Sequence, residues 1–289
     1  MLPAVKEKPT IAIVGPGRLG KALAVALKRA GHRITEIIAP ERAPSQHAAR
    51  ELARLVNAEA ITPALAVLDA KVIWLSVPDR EIARVANELA ARVSWKGKIA
   101  VHASGALGSE EVDVLRQGGA AVASAHPFMT FVSRSVPSLE GVPFAMEGDR
   151  IAMGVVRRLV LAMGAVPYRI RREHKAMYHA WGAFTSPLLV SLLVTAEQAA
   201  ESIGFSRTLA RKWAVPIVRQ TVTNYERLGA EDAFSGPIIR GDVAVVRKHL
   251  LALKGNSEAL AVYVALARAA MKALPAGNRK ELEKALTEG

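Results

Sequence analysis

The chain has 289 residues, 51% apolar and 22% charged, which is enough to bury two cores and unlike the polar, highly charged signature of disorder. It contains no cysteine, which excludes disulfides, thiolate metal sites and thiol nucleophiles and fits a reducing cytoplasm. Its 39 lysines and arginines against 26 acids give a net charge of +13, scattered rather than run together, which points to an anionic cofactor or substrate more than to nucleic acid.

The first ten residues, MLPAVKEKPT, are polar and lead straight into a β-rich run, without the apolar stretch of a secretory signal, so a cytoplasmic location is expected. From residue 9 to about 169, short β-rich runs alternate with helix-period segments, the pattern of βαβ units and a parallel sheet. Strands are predicted over 10–14, 33–39, 71–77, 98–102 and 120–125, with helices over 21–30, 46–57, 79–93 and 109–117. After a connection at 169–173 only helical periodicity remains, over 173–203, 206–229, 241–253, 257–273 and 278–287. The expected architecture is an α/β, doubly wound Rossmann domain over 1–170 followed by an all-helical domain over 171–289. The stretch 180–196 is apolar to the lower limit for a bilayer span, but Ser186, Pro187 and Ser191 interrupt it and no second span exists. It reads instead as a helix buried in the domain centre or against a partner subunit.

The strongest local signal is Ile11-Ala12-Ile13-Val14-Gly15-Pro16-Gly17-Arg18-Leu19-Gly20, a strand ending in G-x-G-x-x-G that opens a helix. Gly15 would permit the tight turn and Gly17 the approach of a pyrophosphate. Gly20 would allow close helix packing, with the phosphates on the helix N-terminus. The end of the second strand reads Ile37-Ile38-Ala39-Pro40-Glu41-Arg42, without an acid at its tip. Arg42, with Ser45 or Arg18, is placed to meet a 2′-phosphate, which favours NADP, while Glu41 keeps NAD open.

The run Val72-Ile73-Trp74-Leu75-Ser76-Val77-Pro78-Asp79 resembles the third strand of the group containing 6-phosphogluconate dehydrogenase, β-hydroxyacid dehydrogenases and pyrroline-5-carboxylate reductase. The resemblance implies that Ser76, Val77 and Pro78 border the nicotinamide ribose. Four further segments lie in order: 102–107 (HASGAL), 125–128 (AHPF), 139–145 (LEGVPFA) and 235–242 (SGPIIRGD). Together they look like a bacterial family with a Rossmann-like domain joined to a C-terminal domain of unknown function. That likeness implies a helical dimerisation domain resembling that of 6-phosphogluconate dehydrogenase, and leaves the substrate open. In the dehydrogenases a lysine on the first long helix after the Rossmann domain acts as acid or base, and an asparagine one turn later binds substrate. Lys175 and His179 match that spacing, with histidine in place of asparagine.

Residues four apart share a helix face, so Lys175 and His179 are expected to point together into the interdomain cleft, with Arg172 and His174 as solvated charges beside them. A desolvated lysine and a histidine can both move protons near neutral pH. His102, Ser104 and Gly105 end a predicted strand at the carboxyl edge of the sheet, where doubly wound folds bind ligands, and His126 follows another. Lys175, His179, Ser104 and His126 are therefore candidate catalytic residues, and His102 and Gly105 candidate substrate contacts. Arg240 is a candidate anion clamp and Asp242 either its neighbour in the site or a helix N-cap. No metal-ligand spacing is present. The expectation is an NADP- or NAD-dependent oxidoreductase, homodimeric through its helical domain, acting on a small anionic carbonyl, hydroxy-acid or imine. The alternatives are a non-catalytic dinucleotide sensor or scaffold and an NADP:deazaflavin reductase.

Overall fold

The computed structural model describes residues 8–132 and 136–288. The first seven residues, on which the absence of a secretory signal was read, lie outside them. Within the first unit, β1 (Ile11–Val14), α1 (Arg18–Arg29), β2 (Ile34–Ile38), α2 (Ala43–Val56), β3 (Glu59–Ile61), β4 (Val72–Leu75), α3 (Asp79–Ala90), β5 (Ile99–His102) and α4 (Asp113–Gln117) follow one another. They are succeeded by β6 (Ala121–Pro127), β7 (Pro143–Gly148), α5 (Arg150–Ala162) and β8 (Val166–Arg169).

The eight strands form one sheet in the order β3-β2-β1-β4-β5-β6-β7-β8, parallel throughout except between β6 and β7. The five expected strands are present and parallel, and the sheet is enlarged by β3, β7 and β8, of which β7 and β8 run antiparallel to the rest. A parallel sheet covered on both faces makes its central strands continuously apolar rather than alternating, and β1 (IAIV) and β4 (VIWL) are buried at every position. Alternate residues serve opposite layers. Ile11, Ile13, Val72 and Trp74 join one core with α1, α2 and α5, while Ala12, Val14, Ile73 and Leu75 join another with α3 and Trp95. Each fully buried isoleucine or leucine in these layers contributes about 1.5–3 kcal/mol.

β8 closes the sheet with a proline inside it. Val166 donates its amide to Val142 O and Ile170 to Met146 O, so the intervening Pro167 nitrogen faces away from β7, where a strand can do without a donor.

The helices that follow are α6 (Lys175–Thr185), α7 (Pro187–Glu201), α8 (Arg207–Ala233), α9 (Pro237–Arg240), α10 (Val243–Leu253), α11 (Ser257–Ala273) and α12 (Arg279–Glu288). The single helix expected over 173–203 is broken at Ser186 (φ −132°, ψ −82°), since a residue before proline is disfavoured in the α region. The segment 172–201 is long and apolar enough, by composition, to cross a membrane. The break leaves helices of 11 and 15 residues, each shorter than the roughly 20 residues a span requires.

The chain divides into two compact units, one ending at Gly182 and the other beginning at Ala183, so the division falls inside α6 rather than at 169–173. The second unit builds its core from Val246, Leu250, Ala267, Met271, Leu282 and Leu286 on α10 to α12. The expectation that 180–196 lies buried in a domain centre does not hold: Leu188, Val190 and, on α8, Trp213 (62% exposed) and Ile217 stand open on the single chain. Glu197 on α7 is held by Arg211 on α8 through two bonds of 2.7 and 3.0 Å, which aligns the pair despite its open apolar flank.

Candidate active site

The turn between β1 and α1 shows three distinct uses of glycine. Gly15 has φ +99°, and a Cβ there would sit 2.9 Å from the Ser76 carbonyl oxygen. Gly20 is packed so closely that a Cβ would lie 2.0 Å from Gly15 O and 2.5 Å from Ser76 Oγ. Gly17, the N-cap of α1, makes no side-chain cap, and a Cβ on it would meet nothing within 4 Å. The space in front of the helix's first amides is therefore open, the arrangement an anion needs. Ser76 donates from Oγ to Gly15 O (2.8 Å), or to Val14 O (3.1 Å), and so braces the turn instead of facing outward.

A cavity of about 740 Å³ runs from this turn along the ends of β2 and β4, lined by Gly15, Pro16, Gly17, Arg42, Ser45, Ser76, Val77 and Pro78 among others. Arg80 and Arg84 on α3 also line it and were not anticipated; Arg84 is held by Glu81 (2.8 Å) and Glu88 (3.2 Å). Arg18 does not line this cavity: its guanidinium donates to Phe131 O at 3.5 Å, and Leu19 packs against the core.

Because β1, β4, β5 and β6 are parallel, their C-terminal ends share one edge of the sheet with the glycine turn. His102 ends β5 and is fully buried. Its Nε2–H donates to Gly108 O (2.8 Å) and its Nδ1 accepts from the Ser104 amide (3.2 Å), which defines the neutral tautomer. Burial pushes its pKa down to about 4, with the Lys175 charge acting in the same sense. Ser104 donates from Oγ to Asp79 (2.8 Å) and accepts from the amides of Ala106 and Leu107, so it caps the loop that follows the strand.

Lys175, only 1% exposed, donates from Nζ to Ser104 O (2.9 Å) and to Ser124 Oγ. Burial lowers its pKa to about 8 against the pull of Glu147, Asp79 and Glu110. The expected open face shared by Lys175 and His179 is corrected accordingly. Lys175 ties the segment just after β5 to the middle of β6, and of the two only His179 stays exposed. Arg172 is no simple solvated charge either, since it pairs with Glu110 (3.1 Å) and approaches Glu147 (3.7 Å); His174 accepts from Arg171 (2.6 Å).

Above this scaffold, Gly105 leaves room for two imidazoles: a Cβ there would lie 2.7 Å from His179 Cδ2 and 3.0 Å from His126 Nε2. His126 belongs to β6 itself rather than following it. Its Nδ1 lies 2.9 Å from the Tyr178 hydroxyl, and the two histidine rings meet edge-on at 6.0 Å. Burial is the main cause that holds His126 at about 4, helped by Lys175 and His179, and burial raises Tyr178. At neutral pH the pair is an uncharged imidazole beside an uncharged phenol. The Tyr178 hydroxyl reaches both His126 Nδ1 (2.9 Å) and His126 O (3.4 Å); when it donates to Nδ1, the His126 proton resides on Nε2, on the side of Gly105. Phe128 and the half-exposed Trp181 stack beside them with centroids 4.3 Å apart, forming an apolar wall. Tyr178, Asp79 and this wall were missed from sequence. Tyr178 and Trp181 lie three and six residues beyond Lys175, and the helical spacing that paired Lys175 with His179 also places Tyr178 beside them.

Arg240 and Asp242 lie in the second unit and bind each other (2.9 Å). Asp242 occupies the N-cap position of α10 but makes no side-chain cap, because its carboxylate holds Arg240 instead. A clamp of Arg240 on an anion would first have to break that pair.

The sheet, its glycine turn and the helical unit define a Rossmann-like protein with an all-helical C-terminal region. Residues 5–127 match the model of a Rossmann-like domain, and residues 142–270 match that of DUF2520, a domain of unknown function, so the chain carries these two domain matches in tandem. No curated protein matches the sequence. Among solved structures, the fold is similar to a Bacteroides fragilis protein described as "putative NADP oxidoreductase" (23% identity, 91% of this chain and 97% of that one, TM-score 0.75). It is also similar to a Thermotoga maritima protein (24% identity, 95% and 98%, TM-score 0.69). A third similar structure is a reductive aminase of Aspergillus terreus in complex with NADPH and ethyl-5-oxohexanoate (17% identity, 92% and 94%, TM-score 0.63).

Proposed function

We propose that this chain is an NADP-dependent oxidoreductase of small carbonyl, hydroxy-acid or imine compounds carrying an anionic group. The observation that carries this reading is the open space at Gly17 on the same sheet edge as the His126, Tyr178 and His179 cluster. The turn residues fit a dinucleotide: the first amides of α1 take the pyrophosphate, Arg42 with Ser45 takes a 2′-phosphate, and Val77 and Pro78 border the ribose. Bound nicotinamide supplies or accepts the hydride. The chain's own contribution is polar. His126 Nε2–H, uncharged, donates to the oxygen or nitrogen that gains electron density, as preorganised neutral donors do in other active sites. His179, exposed at the rim, carries the proton between substrate and solvent. Lys175 and Ser104 act by positioning β6 and the segment just after β5. Phe128 and Trp181 offer an apolar face to the substrate.

NADPH oxidation with a panel of 2-oxo acids and cyclic imines is expected to show turnover that His126→Phe lowers by about a hundredfold. Arg42→Ala is expected to weaken NADPH binding by about tenfold while leaving NADH little changed. Calorimetry that finds neither pyridine nucleotide bound at millimolar concentration would sink the proposal.

The commitment of Lys175 and Ser104 to internal hydrogen bonds favours one second reading, a dinucleotide sensor without turnover. Tight NADPH binding with no oxidation across the panel would select it. The exposed apolar flank of α7 and α8 supports a homodimer formed through these helices. Light scattering is expected to give twice the 30.9 kDa chain mass, and Trp213→Glu to reduce it to one; a monomer at micromolar concentration would remove the dimer.

A further inference from the structure

We infer that a second anion site, for an organic phosphate, lies at the opposite end of the sheet from the glycine turn, between α5 and the β7 and β8 strands. A cavity of about 480 Å³ opens there, within the range of small-ligand pockets. Arg150 and Arg157 from α5 and Arg169 from β8 line it, over a floor that includes Met146, Met153 and Pro167.

The placement follows from periodicity and register. Arg150, Met153, Gly154 and Arg157 occupy i, i+3, i+4 and i+7 on α5, one stripe of the helix, while Ala152, Val156, Leu159 and Val160 bury another against the core. Arg169 lies at the end of β8, paired in register with Met146. Gly154 keeps the helix surface low in the middle of the stripe. A Cβ there would meet nothing within 4 Å, so packing does not call for glycine, and alanine would serve the helix better.

Charge balance points to the ligand. None of the three guanidinium groups has an ion pair among the described residues. The two nearest acids in the chain are already engaged. Glu147 accepts from the Ser109 amide and hydroxyl, and Asp149 from Arg116 and the Val122 amide. Three planar forks over an apolar floor match a phosphate, with its multiple charge and several acceptor oxygens, attached to an apolar body. The site is independent of the dinucleotide reading, since none of its residues lines the cavity at the glycine turn.

The test uses phenyl phosphate and inorganic phosphate as probes, titrated calorimetrically into the full chain carrying Gly17→Asp, so that the glycine turn repels anions. One phenyl phosphate per chain is expected, bound more tightly than inorganic phosphate. Arg157→Gln and Arg169→Gln should each weaken it by about tenfold or more, and Arg157→Lys should restore part of that loss. All three side chains are exposed, so these variants are expected to keep the wild-type melting temperature. Phenyl phosphate binding that ignores both glutamine substitutions, or no binding at about 10 mM, overturns the inference.

Discussion

Replacing Gly20 by alanine is expected to destabilise the protein by about 3 kcal/mol and abolish dinucleotide binding, because the new methyl would stand 2.0 Å from the backbone Gly15 O and 2.5 Å from Ser76 Oγ. For a unit of this size the melting temperature should fall by about 6–12 °C. Gly17→Asp is expected to separate the two effects. A Cβ at that position meets only open space, and an aspartate gives α1 the side-chain cap it lacks, so stability should hold or rise slightly. The same carboxylate would face the pyrophosphate and weaken NADPH by about a hundredfold. A Gly20→Ala protein that melts with the wild type would show that the turn relaxes freely. A Gly17→Asp protein that binds NADPH normally would show that the nucleotide does not sit on these amides.

The second large effect concerns Lys175. An ammonium group buried without a contacting carboxylate makes the folded protein give up its proton more readily than the unfolded chain, at about pH 8 instead of near the ordinary 10.5. Between those values the unfolded state binds more protons, so wild-type stability gains as pH rises through this window. The gain is at most about 3 kcal/mol. Lys175→Met keeps much of the volume and lacks the titration. Its stability relative to wild type should therefore be highest at neutral pH and decline towards pH 10.5. Urea unfolding of both proteins across that range checks this, and parallel stability curves would mean that Lys175 does not change protonation there.

The five strands read from sequence are the strongly apolar ones, and each is present with its ends shifted by a few residues. The three that were missed share a physical reason. β3 has only three residues, one exposed and two half-buried, β7 opens on Pro143, and β8 carries Pro167, so each depends on its neighbours rather than on its own pattern. In the glycine turn the constraints on Gly15 and Gly20 were legible, because the spacing encodes them, whereas Gly17 (φ −66°, nothing within 4 Å of a Cβ) answers to no constraint within the chain itself. The site above it was legible by position and not by role. His102, Ser104, Gly105, His126, Lys175 and His179 do converge, yet periodicity could not tell that Lys175 is buried while His179 stays exposed. Nor does spacing reveal partners remote in the chain, such as Asp79 for Ser104 or Ser109 for Glu147. The antiparallel turn of β7 depends on pairing with β6, which lies beyond any local signal.

Pro167 bears on how copies of this molecule can meet. A sheet grows sideways only if its last strand offers a regular row of donors and acceptors, and here the outward row lacks a donor in the middle of a four-residue strand. Ribbon-to-ribbon joining at that margin is thereby discouraged, so self-association is steered towards side-chain packing and away from open-ended stacking into fibres.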